Sequence, residues 1–198
     1  MTDEPLSEAQ LLQMHWMDLY LRLPEGGVVE RFSDELECED RLKQIRWPDG
    51  PVCPKCEQSN FGYHEARKIY HCRICLTQFS MTSGTLLHRR RLDLLVYFQL
   101  AEEFIEIEAA RLKFSRPTGH ELKDRYSIAY ATAFRLRKYL VEDLSRPQGG
   151  ILGQCICTQE IEMPPDVDRG TAVYLQWLND EVEIRRSHSR AQFSSIIE

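Results

Sequence analysis

The sequence lacks any run of about eighteen apolar residues, the length that an apolar helix needs to cross a bilayer. Its first residues, Met1 to Pro5, are acidic and lack the basic start and apolar stretch of a secretory signal peptide. We therefore expect no membrane span and no export. A reducing cytoplasm is then the expected environment of the seven cysteines. At 198 residues, the chain is long enough to bury a hydrophobic core.

The net charge of −6 is distributed unevenly along the chain. Residues 1–40 contain 2 Lys or Arg against 11 Asp or Glu, and residues 146–198 contain 5 against 8. Residues 41–145 have the opposite balance, 18 against 12. A basic middle between acidic ends is typical of a nucleic-acid-binding module with non-binding flanks. Chance variation in composition would explain this charge distribution equally well.

Four of the cysteines form two Cys-x-x-Cys pairs, which indicate a metal site. Cys53 and Cys56 make the first pair, and Cys72 and Cys75 follow after fifteen intervening residues. This spacing is typical of a four-thiolate zinc site, because each short pair turns both sulfurs toward one ion. Zinc accepts tetrahedral sulfur ligands, and four protein ligands leave no open position for water or substrate. We predict one structural Zn²⁺.

The alternatives to zinc are two disulfides or four unrelated buried cysteines. Disulfides need an oxidising compartment, which nothing in the sequence indicates. Between the two pairs, the strand-forming residues Phe61, Tyr63, Ile69 and Tyr70 predict a hairpin, and residues 78–81 alternate as in a further strand. The segment is thus predicted to be a zinc ribbon.

Amphipathic helices are predicted on both sides of the ribbon. Residues 7–23, with Ser7 as the N-cap, have apolar residues at helical spacing. Residues 33–46 form a second predicted helix, capped by Ser33, with Leu36, Leu42 and Ile45 on its buried side. Near the other end, a helix is predicted from Asp168 or Thr171 to Arg186. The terminal helices either pack on the body or contact a partner.

A short basic run, Arg89-Arg90-Arg91, follows the ribbon. Arginine makes bidentate, charge-assisted hydrogen bonds to phosphate, so these residues are candidate contacts to a nucleic-acid backbone. The alternative is a solvated charge run before the next helix, which is predicted over residues 92–110.

Two predicted helices joined by a brief turn follow, at residues 118–125 and 129–144, and they suggest a helix-turn-helix. In that motif the second helix enters the major groove with its first residues toward the bases. The candidate contacts are Tyr130, Ala131, Thr132 and Arg135 to bases, and Arg137 and Lys138 to phosphates. Ile128, Ala133, Phe134 and Leu136 are predicted to face the core. A helical hairpin without DNA remains the alternative.

These elements define an α+β fold that is mainly helical. A small β zinc ribbon is followed by a helix-turn-helix bundle, with flanking amphipathic helices. The predicted segments are an acidic N-terminal helix at 1–30, the ribbon with its preceding helix at 31–88, the helix-turn-helix at 89–146, and a short C-terminal segment with one helix at 147–198.

The order of these motifs resembles the N-terminal region of ISXO-type insertion-sequence transposases. The resemblance is carried by residues 47–56, which read Trp-Pro-Asp-Gly-Pro-Val-Cys-Pro-Lys-Cys, by 70–75, and by 78–85 followed by His88. Residues 132–135 are similar to part of that family's helix-turn-helix. The likeness spans about residues 31–145 and is most specific in the ribbon. It implies that the ribbon and helix-turn-helix bind DNA.

That family continues into an RNase H-like domain whose three acidic residues hold catalytic metal ions. The first acid would fall on a strand that corresponds here to residues 154–160, where Thr158 replaces the expected aspartate. About forty residues follow, and their acids, Asp166, Asp168, Asp180 and Glu181, lie in a predicted loop and helix. We therefore expect no catalytic triad and no enzyme. On the same strand, Cys155 and Cys157 would share one face, as buried residues or as a second metal site.

Together these expectations describe a zinc-stabilised, sequence-specific DNA-binding protein derived from a transposase, acting in transcriptional regulation without catalysis. Double-stranded DNA is the predicted partner, with a protein partner or self-association through the terminal helices. The expected location is cytoplasmic and nucleoid-associated. The alternatives are an accessory or partner-dependent transposition protein, or a protein-docking adaptor.

Overall fold

A computed structural model describes residues 5–110 and 116–196, with side chains described up to residue 188. The helices and strands in this part of the chain are, in order, α1 (Glu8–Leu21), α2 (Gly27–Arg31), α3 (Glu35–Arg46), β1 (Phe61–His64), β2 (Ile69–Cys72), β3 (Gln78–Phe79), α4 (Leu94–Ala109), α5 (Gly119–Tyr126), α6 (Tyr130–Leu144), α7 (Gly150–Ile156) and α8 (Ala172–Ile196). None of the described helices is long and apolar enough to cross a membrane.

The three strands form one antiparallel sheet in the order β1-β2-β3. Phe61 pairs with Cys72 in the first ladder, and Tyr70 pairs with Phe79 in the second. One buried apolar cluster contains residues from α1, the ribbon, α4, α6, α7 and α8. The predicted fold class, mainly helical α+β with a zinc ribbon, is confirmed.

Helix α1 packs on the body of the protein. Ser7 and Gln10 form a capping box at its start, as the sequence predicted for Ser7. Met14, Trp16 and Met17 are buried, whereas Leu11 and Leu12 remain about half exposed. The helix lies against α4 and α8, so its apolar face is covered mainly from its second turn onward.

Helix α3 begins at Glu35, two residues after the start of the predicted range, and its cap differs. The Asp34 carboxylate, rather than the Ser33 hydroxyl, accepts the hydrogen bond from the Glu37 backbone N–H at 2.9 Å. An ionised carboxylate at this position also interacts favourably with the positive end of the helix dipole. Leu36, predicted to be buried, is 59% exposed, while Leu42 is fully buried.

The strand predicted over residues 154–160 is absent from the described structure, and helix α7 ends at Ile156 instead. Two charged side chains hold this helix. Asp143 accepts a hydrogen bond from the Leu152 N–H at 2.9 Å, and Arg41 donates to the Gln154 and Cys155 carbonyls at 3.0 Å each. Cys155 and Cys157 are both buried, and burial raises the pKa of each thiol to about 12, which keeps both thiols neutral.

Helix α8 closes the fold against α1 and continues to Ile196, beyond the predicted end at Arg186. The Arg185 guanidinium donates hydrogen bonds to the carbonyls of Tyr20, Leu21, Leu23 and Pro24 at 2.7–3.1 Å. The last carbonyls of a helix have no partner within it, so one arginine supplies donors to the end of α1.

Replacing Gly150 should destabilise the junction between α6 and α7. Gly150 has φ +61° and ψ −151°, a conformation open essentially to glycine alone, and an added Cβ would lie 2.3 Å from the Asp143 carbonyl oxygen. We expect Gly150→Ala to lower the free energy of unfolding by about 3 kcal/mol or more. The measurement is urea unfolding followed by circular dichroism.

Gly170→Ala is the matched control, because Gly170 also has positive φ (+80°) but no atom within 4 Å of an added Cβ. Its expected cost is about 1 kcal/mol, from backbone strain alone. Equal losses in the two variants would contradict a steric role for the Gly150–Asp143 approach.

Candidate metal centre and nucleic-acid interface

The two cysteine pairs lie on turns of the same design. The Cys53 N–H donates to the Gln58 carbonyl at 3.0 Å, and the Cys72 N–H donates to the Thr77 carbonyl at 2.9 Å. Each turn then contains one residue in the left-handed region, Glu57 with φ 58° or Leu76 with φ 60°. Each turn therefore folds back on its first cysteine.

Pairing of the strands brings these two turns together. The four Sγ atoms lie within 4.8 Å of one another, with Cys53 and Cys75 at 3.5 Å and Cys56 and Cys72 at 3.6 Å. Sulfurs bound tetrahedrally at about 2.3 Å from zinc are roughly 3.8 Å apart, so these distances fit one ion. The four cysteines thus fit a single structural zinc ion, as predicted.

The surroundings of the second pair favour thiolates, the form that binds zinc. Hydrogen bonds from the side chain and backbone of Thr77 lower the pKa of Cys75 to about 6. The backbone N–H groups of Cys75 and Ile74 lower the pKa of Cys72. Metal binding displaces the thiol protons of cysteine. Protons therefore compete less with the zinc ion for a cysteine whose pKa is low.

Aromatic side chains connect the ribbon to the end of α3. The Trp47 ring meets Tyr70 edge-on at 5.3 Å between centroids, and Tyr70 stacks on Phe79 at 5.2 Å. Phe61 meets Tyr70 edge-on at 5.2 Å. Such pairs contribute about 0.5–1.5 kcal/mol beyond the area that they bury. The metal turns are therefore held against a helix through the sheet.

A cluster of charged side chains, which we call the α3 carboxylate cluster, joins four parts of the fold. It consists of Glu35, Glu39, Lys68 and Arg90. The Arg90 Nη2 lies 2.5 Å from Glu35 Oε1 and 3.7 Å from Glu39 Oε1, and Lys68 Nζ lies 2.6 Å from Glu39 Oε2. The second Glu35 oxygen accepts the Leu94 N–H at 2.6 Å, at the start of α4. The cluster thus joins α3, the ribbon, the arginine run and α4.

The three arginines of the basic run therefore have different surroundings. Arg90 is bound inside the protein, and its side chain is only 19% exposed. The phosphate contact predicted for Arg90 would have to compete with these two carboxylates. Arg89, in a left-handed conformation with φ 57°, and Arg91 are both exposed.

The exposed arginines lie beside α6. A cleft, here called the arginine cleft, is lined on one side by residues 88–92 and on the other by Thr132, Arg135 and Tyr139. The fold thus brings together two groups of candidate residues that are about forty positions apart in sequence. The Arg46 guanidinium holds the loop that precedes the arginine run against α3, by hydrogen bonds to the carbonyls of Met81 and Ser83.

Helices α5 and α6 are joined by three residues, of which Ser127 is left-handed with φ 51°. Thr118 and Glu121 form the capping box predicted for α5. The outer face of α6 exposes Tyr130, Ala131 and Arg135. Three candidate cations have local partners within the protein: Arg135 donates to the Ala131 carbonyl at 3.2 Å, Arg137 donates to the Pro117 carbonyl at 3.1 Å, and Lys138 lies 3.9 Å from Glu142.

Phe134 was predicted to face the core, and this was wrong. Its side chain is 54% exposed, because Ala133, Leu136 and Leu140 form the buried stripe of α6. The sequence does contain a signal that Phe134 is exposed. Ala133, Leu136 and Leu140 have helical spacing, and Phe134 falls outside the stripe that they form. Glu35 and Glu39 were not identified from sequence, although their four-residue spacing places both carboxylates on one side of α3.

These observations define a zinc-ribbon protein with one structural metal site. Residues 33–78, which include α3 and most of the ribbon, match the model of a family described as the transposase zinc-ribbon domain. This match fits a transposase N-terminal region and confirms the resemblance noted from the motifs.

A protein of Halobacterium salinarum, described as an uncharacterized protein in transposable element ISH50, is 22% identical to this chain over 128 residues. The alignment covers 63% of this chain and 41% of the relative, so the chain spans less than half the length of the relative. No solved structure matches the chain.

Loss of a zinc ligand should remove the metal and unfold the ribbon. We expect Cys72→Ser to reduce bound zinc from one ion per chain to nearly none, because folding of a thiolate site is coupled to metal binding. A strong chelator should have the same effect on the unchanged protein. The measurements are metal analysis and near-ultraviolet circular dichroism, which reports on Trp47 beside the sheet.

Cys38→Ala provides the control, because Cys38 is a buried thiol outside the metal cluster. It should retain one zinc per chain. A zinc-free protein with an intact ribbon would refute the structural role of the ion.

Removing Arg90 should destabilise the fold. Arg90→Met leaves Glu39, whose side chain is 5% exposed, with Lys68 as its remaining cluster partner. Breaking a well-buried pair costs about 3–5 kcal/mol, and for this partly solvated cluster we expect about 2 kcal/mol. Arg91→Met, a change of the same kind at an exposed position, should stay within about 0.5 kcal/mol of the unchanged protein. Thermal and urea unfolding compare the two, and equal stabilities would refute this role of the cluster.

Proposed function

We propose that this protein binds double-stranded DNA sequence-specifically and acts as a transcriptional regulator without catalytic activity of its own. The observation that carries the proposal is the arginine cleft, in which exposed cations of the ribbon-side loop lie next to the first turns of α6. Phosphate contacts position a protein on the duplex, and side chains in a groove read the bases, so both kinds of group are needed on one surface.

In this proposal α5 and α6 act as a helix-turn-helix, with α6 in the major groove. The first half of α6 supplies Tyr130, Ala131, Thr132 and Arg135 toward base edges. Its N-terminal end also carries the positive end of the helix dipole. The second half contains the exposed Glu142, whose negative charge disfavours approach to phosphates. The expected orientation therefore directs the N-terminal half of α6 into the groove.

Arg89 and Arg91 contact phosphates on the flank of α6 in this arrangement. Arg137 and Lys138 add further phosphate contacts if their local partners are exchanged for DNA oxygens. Their interactions with Pro117 and Glu142 lie near the surface, and such pairs are individually worth little. Exchange of these partners for phosphates is therefore inexpensive.

A structural rather than a catalytic role of the metal ion is supported by its four cysteine ligands. Four thiolates fill the coordination sphere of the zinc ion, so the site supplies stability and no position for substrate. The terminal helices α1 and α8 retain exposed apolar residues, Leu11, Leu12, Val173 and Ile184. We propose that these helices contact a protein partner or a second copy. A cytoplasmic, nucleoid-associated location accompanies this function.

A second candidate is an accessory role in transposition, with catalysis supplied by a partner. It is favoured by the halobacterial relative, which is described as a protein of a transposable element. Mapping of bound DNA in the cell separates the two candidates. Peaks upstream of a small set of genes support regulation, whereas peaks at the ends of mobile elements support transposition.

Two substitutions test the division of roles on the DNA-binding surface. Arg135→Ala should weaken binding to a selected DNA site by about 1–3 kcal/mol and relax the base preference at one position. Arg89→Met should weaken binding to all duplexes alike and reduce the slope of log K against log salt by about one. The measurements are fluorescence anisotropy titrations at several salt concentrations, on a duplex enriched from a random library and on a scrambled one.

Arg31→Met is the control, because it removes the same charge from an exposed position on α2. It should change neither the slope of log K against log salt nor the base preference. If both test variants lose affinity equally on every sequence, the separate roles are wrong. If the unchanged protein binds no duplex at low salt, the DNA-binding proposal is wrong.

A further inference from the structure

Phe134 occupies an unusual position for a large apolar side chain. It lies in the second turn of α6, next to Arg135 and one turn before Lys138, and it is 54% exposed. It cannot turn inward, because Ala133, Leu136 and Leu140 already fill the buried stripe of the helix. An apolar group is therefore presented to solvent beside two cations of the same helix.

The backbone beneath Phe134 is held in place by α5. A Cβ added to Gly119 would lie 3.1 Å from Tyr130 Cε2 and 3.7 Å from the Phe134 Cα, so the start of α5 approaches the first turns of α6 closely. The His120 ring lies over Tyr130, with 4.5 Å between centroids and an angle of 33° between the planes. Tyr130 in turn lies 6.4 Å from the Phe134 ring. The exposed ring thus projects from a supported part of the helix.

The cations around Phe134 indicate what this face meets. Arg135 lines the arginine cleft together with Arg89 and Arg91, and Lys138 follows on the same side of α6. A surface of this charge is complementary to a polyanion and repels a basic protein surface. Among the groups that a duplex displays in its major groove, the C5 methyl of thymine is the apolar one on the natural bases.

We propose that Phe134 determines specificity by packing against a thymine methyl group in the major groove. This inference rests on the proposed function, since it requires α6 to enter the groove. It assigns a discriminating role to a residue that forms no hydrogen bond to a base. Phe134 prefers thymine to cytosine or uracil at one position, whereas Arg135 supplies the polar contact beside it.

The test compares thymine with deoxyuracil, which differs from thymine by this methyl group alone. A duplex is first enriched from a random library with the unchanged protein, and each thymine is then replaced singly by deoxyuracil. At one position the replacement should weaken binding about fourfold, the effect expected for one buried methyl group. Phe134→Ala should bind the two duplexes equally, and Phe134→Leu, which keeps an apolar side chain, should retain part of the preference.

Leu36→Ala is the control, since it removes a similarly exposed apolar side chain (59%) from α3. It should leave the fourfold preference unchanged. Circular dichroism melting verifies that the Phe134 variants are folded. Sedimentation velocity on free protein and on the complex determines whether Phe134 contributes to self-association.

Three outcomes would overturn the inference. One is a selected duplex in which no deoxyuracil replacement weakens binding, and another is a Phe134→Ala protein that retains the full preference. The third is an equal loss on both duplexes accompanied by loss of a dimer, which would make this face a contact between copies. In each case the protein still binds duplex, so the proposed function survives. Absence of any duplex binding by the unchanged protein would instead refute both.

Discussion

The fold depends on carboxylates of α3 that are withdrawn from water and satisfied by partners from distant parts of the chain. Glu39 is almost fully buried, and an ionised carboxylate in that position is costly unless cations and donors surround it. Lys68 comes from the ribbon and Arg90 from the loop that follows it, while Glu35 binds the start of α4. Zinc organises the ribbon locally, but this cluster fixes where the ribbon and the arginine run lie relative to the helices.

Ion pairs and hydrogen bonds within the fold change the interpretation of the uneven charge distribution of the sequence. Several of the acids in the first forty residues have partners within the fold. Asp18 accepts a hydrogen bond from the Tyr174 hydroxyl at 2.9 Å and lies 3.7 Å from Arg169, and Glu35 pairs with Arg90. Negative charge near the N-terminus therefore contributes to assembly of the protein itself. The net charge of the chain says little about the surface beside α6, where the potential is set by local arginines.

The parts of the structure that were predictable from sequence are those governed by local rules. The spacing of Cys53, Cys56, Cys72 and Cys75 identified the metal ligands, and capping patterns identified the starts of α1 and α5. Such signals need only neighbours in the chain. The strand that the family resemblance implied at residues 154–160 was misassigned, because the apolar residues that end α7 are compatible with either structure until Asp143 and Arg41, which hold that helix, are known.

The roles within the candidate site were less predictable. The sequence shows three consecutive arginines but cannot show that Arg90 turns toward two carboxylates on another helix while its neighbours remain exposed. That difference is a matter of tertiary packing. Phe134 was misplaced for another reason: hydrophobicity alone suggests burial, whereas the phase of the stripe formed by Ala133, Leu136 and Leu140 excludes it.

Helix α6 is divided between two kinds of constraint. Its last turn carries Asp143, which holds the start of α7, and its buried stripe is part of the core. The outward positions of its first turns make few contacts that the fold requires. Substitutions of these outward side chains should therefore cost little folding stability, while α5 and the buried stripe hold the backbone that carries them. Recognition and folding depend on separate faces of one helix. During evolution, substitutions on the outward face can therefore change the binding preference without a prior increase in the stability of the fold.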